Sequence, residues 1–115
     1  MAKIGIIGAG SWGIALSVLL HNNGHEITVW SILEDEINML KTEHEHKDKL
    51  PGVKLPEDMI FTTSLPEAIE GKDILVLAVP SPFTRSTSHN MKPYVAAGQI
   101  IVNVAKGIEE HTLMT

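Results

Sequence analysis

Apolar and polar positions along the chain change repeatedly from strand-like to helix-like patterns. Residues 1–7 are apolar and rich in β-branched side chains, which is typical of a buried strand, and residues 14–20 continue as a helix ending near residues 22–24. The predicted order is strand 1–7, helix 14–20, strand 26–30, helix 34–40, strand 59–62, helix 65–69, strand 73–79, a helix before residue 94, and strand 99–105. Strands and helices therefore alternate throughout.

Local signals support several of these elements. In the second helix, Ile37 and Leu40 share one face and acidic residues come first. Ser64 is the candidate cap of the 65–69 helix. Residues 73–79 are almost wholly apolar, as expected for a parallel strand buried on both faces. Residues 41–57 are charged and lack periodicity, and they are predicted to run over the surface.

The alternation predicts an α/β fold of the Rossmann type. We expect one domain over residues 1–115, with a doubly wound, mainly parallel sheet and helices on both faces. In such a sheet the ligand lies in a crevice beyond the carboxyl ends of the strands. Residues that carry chemistry are therefore sought in the loops that follow the strands.

The first strand is followed directly by G-x-G-x-x-G. Gly8 permits the tight strand-to-helix turn, Gly10 lacks the Cβ that would strike a pyrophosphate, and Gly13 lets the helix settle against the sheet. Ser11 and Trp12 are expected in the turn itself, with backbone amides facing phosphate oxygens. The motif predicts a dinucleotide cofactor. The alternative, a glycine turn used only for packing, is less favoured in this strand, helix and strand context.

Other loops should reach the same edge. The predicted cofactor contacts there are Ser31, Ile32, Pro80, Ser81, Phe83 and Lys106. A lysine at the end of a strand can neutralise phosphate or polarise a carbonyl that accepts hydride, although an ordinary surface lysine is an equal alternative. Neither an acidic residue nor an arginine is recognised at the end of the second strand, and Glu34 is expected to lie too far into the next helix. The sequence therefore does not decide whether the cofactor is NAD or NADP.

Composition narrows the function classes. The chain has 115 residues, 43% of them hydrophobic, and a formal net charge of -5, which argues against a nucleic-acid groove. It has no cysteine, so disulfides and thiolate metal sites are excluded and a cytoplasmic location is expected. No stretch is long and apolar enough to span a membrane. Residues 44–49 hold two histidines but are predicted to be a solvated loop, and we expect no metal site and no hydrolase triad.

Six ordered motifs together resemble bacterial NAD(P)-dependent glycerol-3-phosphate dehydrogenases. They are residues 7–13, 23–26, 29–30, 50–56, 79–81 and 106–109, so the resemblance runs from end to end. It implies hydride transfer between NAD(P)H and the dihydroxyacetone phosphate/glycerol 3-phosphate pair, in glycerophospholipid synthesis. It also implies that Ser11 and Trp12 contact the cofactor and that Lys106 contacts both cofactor and substrate.

The resemblance also sets expectations for what lies outside this sequence. Family members are much longer, with a helical C-terminal domain that completes the substrate site, so this chain alone is expected to bind cofactor without turnover, and a homodimer is an option for the full-length protein. Ile32 and Lys49 depart from the family, which often has a basic and an aromatic residue there; Lys49 could supply the missing cation. The alternatives are a free-standing NAD(P)-sensing module and the cofactor half of another β-hydroxyacid-type dehydrogenase.

Overall fold

The computed structural model describes residues 2–47, 52–79 and 81–104, with the side chains of 81–84 left out. Within these residues strands and helices alternate from beginning to end, as the sequence predicts. They are β1 (Lys3–Ile7), α1 (Ser11–Asn22), β2 (Glu26–Trp30), α2 (Glu34–Glu43), β3 (Ile60–Thr62), α3 (Leu65–Ile69), β4 (Ile74–Leu77), α4 (Ser81–Met91) and β5 (Ile100–Asn103).

The five strands form one parallel sheet in the order β3-β2-β1-β4-β5. β1 is central, and its Ile6 pairs with Val29 of β2 on one side and Val76 of β4 on the other. Helices connect successive strands, which a parallel sheet requires. The predicted Rossmann-type architecture is confirmed.

Two apolar cores lie on the two faces of the sheet. Ile4 and Ile6 of β1 pack with Ile14 of α1 and with Ile37 of α2 on one face. On the other face Ile7 packs with Ile69 of α3 and with Met91 of α4. The alternation of side chains along β1 explains this division, because successive residues of a strand point to opposite faces. Helices therefore cover both faces, as predicted.

Two helices begin earlier than the sequence suggests. Ser11 and Trp12 lie in the first turn of α1, and Ser81 and Phe83 in the first turn of α4, so the prediction that these four occupy loops is wrong. Gly10 precedes α1 in extended backbone, with φ −72° and ψ −179°, and the helix follows without a further turn. A proline near the start of α4 does not interrupt the helix, because first-turn N–H groups have no intrahelical partner.

The segment after α2 is less exposed than predicted. The helix continues to Glu43 and ends at His44 in left-handed backbone. His46 and Leu55 are then buried, and the N–H of Leu55 donates to the His44 carbonyl at 2.6 Å. The prediction of a solvated loop is therefore wrong for His46, whose ring is only 2% exposed. Periodicity could not reveal this, because tertiary contacts bury the residue.

Candidate cofactor site

The strand order places a crevice between β1 and β4. The chain leaves β1 towards β2 and β3, then returns to the other side of β1 to form β4. The connection after β1 leads to β2, whereas the connection after β4 leads to β5 on the other side of the sheet. Because these connections diverge, a crevice is left between them at the carboxyl ends of β1 and β4. The loop from Gly8 to Gly10 and the residues Ala78 and Val79 border this opening.

Gly8 and Gly13 allow the backbones at this edge to approach closely. Gly8 has φ +125°, and a Cβ there would lie 2.7–2.9 Å from backbone atoms of Ala78 and Val79. A Cβ on Gly13 would overlap the carbonyl oxygen of Gly8. Both glycines are therefore needed for the strand-to-helix turn and for the packing of α1, the two mechanical tasks that the sequence predicts for them.

Gly10 differs from both. A Cβ at Gly10 meets no atom of the described residues within 4 Å, and its backbone conformation is open to any residue. Packing within the described part of the chain therefore does not account for glycine at this position. Open space above a glycine at the start of a helix fits a pyrophosphate, which needs close approach to backbone N–H groups.

The first turn of α1 presents N–H groups towards this space. No acidic side chain lies in that turn, and Gly10 makes no side-chain cap. The unpaired N–H groups and the positive end of the helix dipole are thus available to an anion. Ser11 and Trp12 belong to this turn and are both exposed, Trp12 to 52%.

Exposed apolar side chains continue along the edge. Ile32 and Leu33 follow β2 directly and are 75% and 59% exposed, and β2 is the neighbour of β1. Large apolar side chains left in solvent at a crevice often mark a ligand surface. With Trp12, they give the β1–β2 side of the edge an apolar border that suits a flat heterocycle.

A carboxylate stands at the end of β2, which the sequence interpretation did not recognise. Glu36 lies in the first turn of α2, and its side chain reaches back to Ser31, whose Oγ is 2.5 Å from Glu36 Oε1. His46 Nε2 is 2.6 Å from Glu36 Oε2. The expectation that no acidic residue lies at the end of the second strand is therefore wrong. Ser31 itself is only 5% exposed, with its hydroxyl engaged inside the corner.

Three predicted contact residues lie outside the described residues. They are Lys49, Pro80 and Lys106. The side chains of Ser81 and Phe83 are also outside the description, although their backbone begins α4 next to the end of β4. Their contacts with the cofactor therefore stay predictions.

A separate cavity of about 280 Å³ lies at the opposite edge of the sheet. It is bordered by the start of β2 and by His21 and Asp58, whose Nε2 and Oδ1 atoms are 2.7 Å apart. Being at the amino ends of the strands, it is not part of the crevice.

Among residues 2–47, 52–79 and 81–104 no group of three potential metal ligands comes together. Nor does any described helix have the length and apolar character needed to cross a membrane.

Comparison with known proteins agrees with the geometry. The sequence profile described as NAD-dependent glycerol-3-phosphate dehydrogenase N-terminus matches residues 3–115. The chain belongs to this family. Among its relatives, a glycerol-3-phosphate dehydrogenase [NAD(P)+] of Agathobacter rectalis is 67% identical over 115 residues, and one of Fusobacterium nucleatum is 55% identical over the same length. All of this chain and 34% of each relative are covered, so the chain spans about a third of the length of these family members.

A solved structure of the family has the same fold. Glycerol-3-phosphate dehydrogenase from Coxiella burnetii superposes with a TM-score of 0.84 and 30% identity, over 89% of this chain and 31% of that one. The resemblance seen in the sequence is thereby confirmed, and the NAD(P) cofactor class with it.

Sequence reasoning missed three residues that shape this region. Gly5 lies inside β1, and a Cβ there would overlap the carbonyl oxygen of Ala68 in α3. Glycine within an otherwise β-branched strand was the available signal. For Glu36 and His46 no such signal exists in a single sequence, because their contact depends on where the segment after α2 folds.

Proposed function

We propose that this chain is the cofactor-binding part of an NAD(P)-dependent glycerol-3-phosphate dehydrogenase, which transfers hydride between NAD(P)H and dihydroxyacetone phosphate or glycerol 3-phosphate. The observation that carries the proposal is the open space above Gly10, at the start of α1 and beside the β1–β4 crevice. A pyrophosphate has the charge and the size for that position. The family membership supports the same reaction.

In this proposal each part of the edge has one task. Gly8 and Gly13 shape the turn, Gly10 leaves room, and the N–H groups of Ser11 and Trp12 hold the pyrophosphate. The exposed side chains of Trp12, Ile32 and Leu33 cover the adenosine part. Pro80, Ser81 and Phe83 contribute from the β4 side.

The nicotinamide, when bound, supplies or accepts the hydride. Lys106 follows β5, and its cationic side chain would contact cofactor and substrate and stabilise negative charge on the carbonyl oxygen. Because the chain spans about a third of its relatives, we expect it to bind cofactor without measurable turnover when tested alone.

The decisive experiment is a titration of the 115-residue chain with NADH, followed by nicotinamide fluorescence. We expect saturable binding by the wild type and a loss of at least tenfold in affinity for Gly10→Val, because branched carbons would occupy the space of the pyrophosphate. Ala15→Val is the control, since it adds the same two Cγ carbons at an exposed position further along α1. Unchanged affinity of Gly10→Val would refute the site.

Lys106 separates a dehydrogenase from a cofactor sensor. In a full-length protein that carries this N-terminal sequence, Lys106→Ala should reduce kcat/KM by about a hundredfold or more, the order for loss of one electrostatic contact to the reacting group. Cofactor affinity should fall much less. Retained turnover would contradict the proposed role of Lys106.

Lys49 is a further candidate for contact with the cofactor in this proposal. Lys49→Ala tests whether this lysine contributes to cofactor binding, and unchanged affinity for both NADH and NADPH would remove it from the site.

We place the protein in the cytoplasm, a reducing compartment that suits a chain without cysteine. We also propose that the full-length protein is a homodimer, which sedimentation of that protein would test.

A further inference from the structure

The Glu36 carboxylate lies against Ser31, the residue that follows β2, and the proposed function gives it no role. We propose that Glu36, held in place by Ser31 and His46, is a specificity-determining residue that favours NAD(H) over NADP(H). This inference rests on the proposed function, because it assumes that the adenosine ribose lies at the carboxyl end of β2.

The direction of each hydrogen bond follows from the chemistry of the three groups. A carboxylate can only accept, so the Ser31 hydroxyl and the Nε2–H of His46 both donate to Glu36, at 2.5 and 2.6 Å. The Leu33 N–H donates in turn to Ser31 Oγ at 3.1 Å. Each carboxylate oxygen thus has one internal donor and still has a lone pair for a ligand hydroxyl.

Burial fixes this carboxylate in position while leaving it reachable. The His46 side chain is 2% exposed and that of Glu36 is 14% exposed. Two short bonds and a buried partner prevent Glu36 from swinging into solvent as an ordinary helix glutamate would. The remaining exposed part of its side chain is what a bound ribose could contact.

The charge around Glu36 is negative. Glu34 and Asp35 share its helical turn, and the groups that face its carboxylate within the described residues are Ser31 and His46. No lysine or arginine is paired with Glu36 in that part of the chain. A ribose 2′-hydroxyl can donate to a carboxylate, whereas the 2′-phosphate of NADP has nothing to donate and is repelled.

Glu36 could instead serve only to join α2 to the segment that contains His46. A structural role of that kind predicts that changing Glu36 weakens NADH and NADPH binding equally. A specificity role predicts a change in the ratio of the two affinities. The ratio is therefore the measurement that separates the two roles.

The test is titration of the 115-residue chain with NADH and with NADPH in parallel. We expect the wild type to bind NADH more tightly. In Glu36→Gln the amide can still accept from Ser31 but carries no charge, so the NADPH/NADH affinity ratio should rise by about tenfold, the size of one charge interaction at a partly exposed position. Glu34→Gln is the matched control, because it removes the same charge from an exposed residue of the same turn and should change the ratio much less.

A second variant, Ile32→Arg, leaves the hydrogen bonds between Glu36, Ser31 and His46 unchanged. Ile32 is 75% exposed at the end of β2, and Ile32→Arg adds a cation at the same corner without disturbing the core. We expect it to raise NADPH affinity relative to NADH, because the added cation would pair with the 2′-phosphate. An unchanged ratio would show that the ribose does not lie at this corner, and would overturn the inference even if Glu36→Gln does not fold.

The possible outcomes separate this inference from the proposed function. If the wild type binds neither coenzyme, the proposed function fails and the inference with it. If it binds NADPH as tightly as NADH, or if Glu36→Gln leaves the ratio unchanged, the specificity role is wrong while the proposed function stands.

Discussion

Gly13 packs α1 directly against the turn that follows β1, because a Cβ here would overlap the carbonyl oxygen of Gly8. The oxygen belongs to the backbone and the position of a Cβ is fixed by the backbone, so neither atom can turn aside. We expect Gly13→Ala to reduce the free energy of unfolding by about 2 kcal/mol, as overpacking typically does. Urea denaturation of the two proteins measures the difference.

Gly10→Ala is the control for that experiment. The added Cβ meets no described atom within 4 Å, and φ −72° suits alanine, so the free energy of unfolding should change by less than about 0.5 kcal/mol. Equal losses in the two variants would contradict the assignment of Gly13 to packing and Gly10 to ligand space.

Single residues differ in how far their roles can be predicted from sequence. The tasks of Gly8 and Gly13 follow from local geometry, because the strand, turn and helix that need them are contiguous in the chain. The task of Gly5 depends on α3 crossing β1, and Glu36 depends on the fold of the segment around His46. Contacts of that kind join distant parts of the sequence, and no local pattern encodes them.

At the scale of elements, His46 joins the segment after α2 to the first turn of that helix. We expect His46→Ala to lower the free energy of unfolding by about 3 kcal/mol, because it removes a buried side chain and a hydrogen bond to a carboxylate. His89→Ala, at an exposed histidine of α4, should have almost no effect. A double-mutant cycle with Glu36→Gln measures the coupling, and additive effects would argue against the link.

The start of the same segment also contains a carboxylate with a lowered pKa. The Gly52 N–H donates to Glu45 Oε2 at 3.1 Å and is the main cause that holds the pKa of Glu45 below its ordinary value of 4.5. Partial burial opposes this effect, while Lys54, with Nζ 3.6 Å from Oε1, adds to it. The contribution to stability is therefore complete above pH 4.5 and is lost as pH falls through the lowered folded-state pKa.

NMR titration of the Glu45 carboxyl group tests this account. Lys54→Met should raise the pKa of Glu45 but leave it below 4.5, because the larger effect of the Gly52 N–H remains. A rise to 4.5 or above would show that the lysine, and not the backbone N–H, is the main cause.

Predictions of elements succeeded where the pattern is local. β2 and α3 have the predicted bounds, and Ser64 caps α3 by accepting from the Glu67 N–H at 3.4 Å. The starts of α1 and α4 were predicted too late. Gly10 offers no side-chain cap to mark the start of α1, and Pro82 suits either a loop or the first turn of a helix. Ends of helices are generally less certain than their presence.

At the scale of the whole molecule, cofactor binding should stabilise the fold. The crevice exists only when β1 and β4 pair, so we expect NADH to bind the folded state and not the unfolded state. At a concentration of 100 times its Kd, NADH should add about 2.7 kcal/mol to the free energy of unfolding and raise Tm accordingly. Thermal unfolding followed by circular dichroism measures this, and Gly10→Val should show no increase. A rise in Tm for Gly10→Val equal to that of the wild type would contradict the site.

The architecture could be predicted as a whole because alternating strands and helices allow few arrangements. Alternation requires a parallel sheet with helices on its faces, and the switch point follows from the return of the chain to β4. The exposure of β5 could not be predicted: Ile100, Ile101 and Val102 look like a buried strand in sequence, yet all three are exposed at the edge of the sheet.

The central position of β1 has a consequence for synthesis of the chain. β1 is translated before β4, and its pairing with β4 joins Ile7 to Leu77, so one wall of the crevice is translated long before the other. A nascent chain that ends before β4 has the glycine turn but no opposite wall. If coenzyme binds as proposed, it therefore stabilises the chain only after β4 has paired with β1.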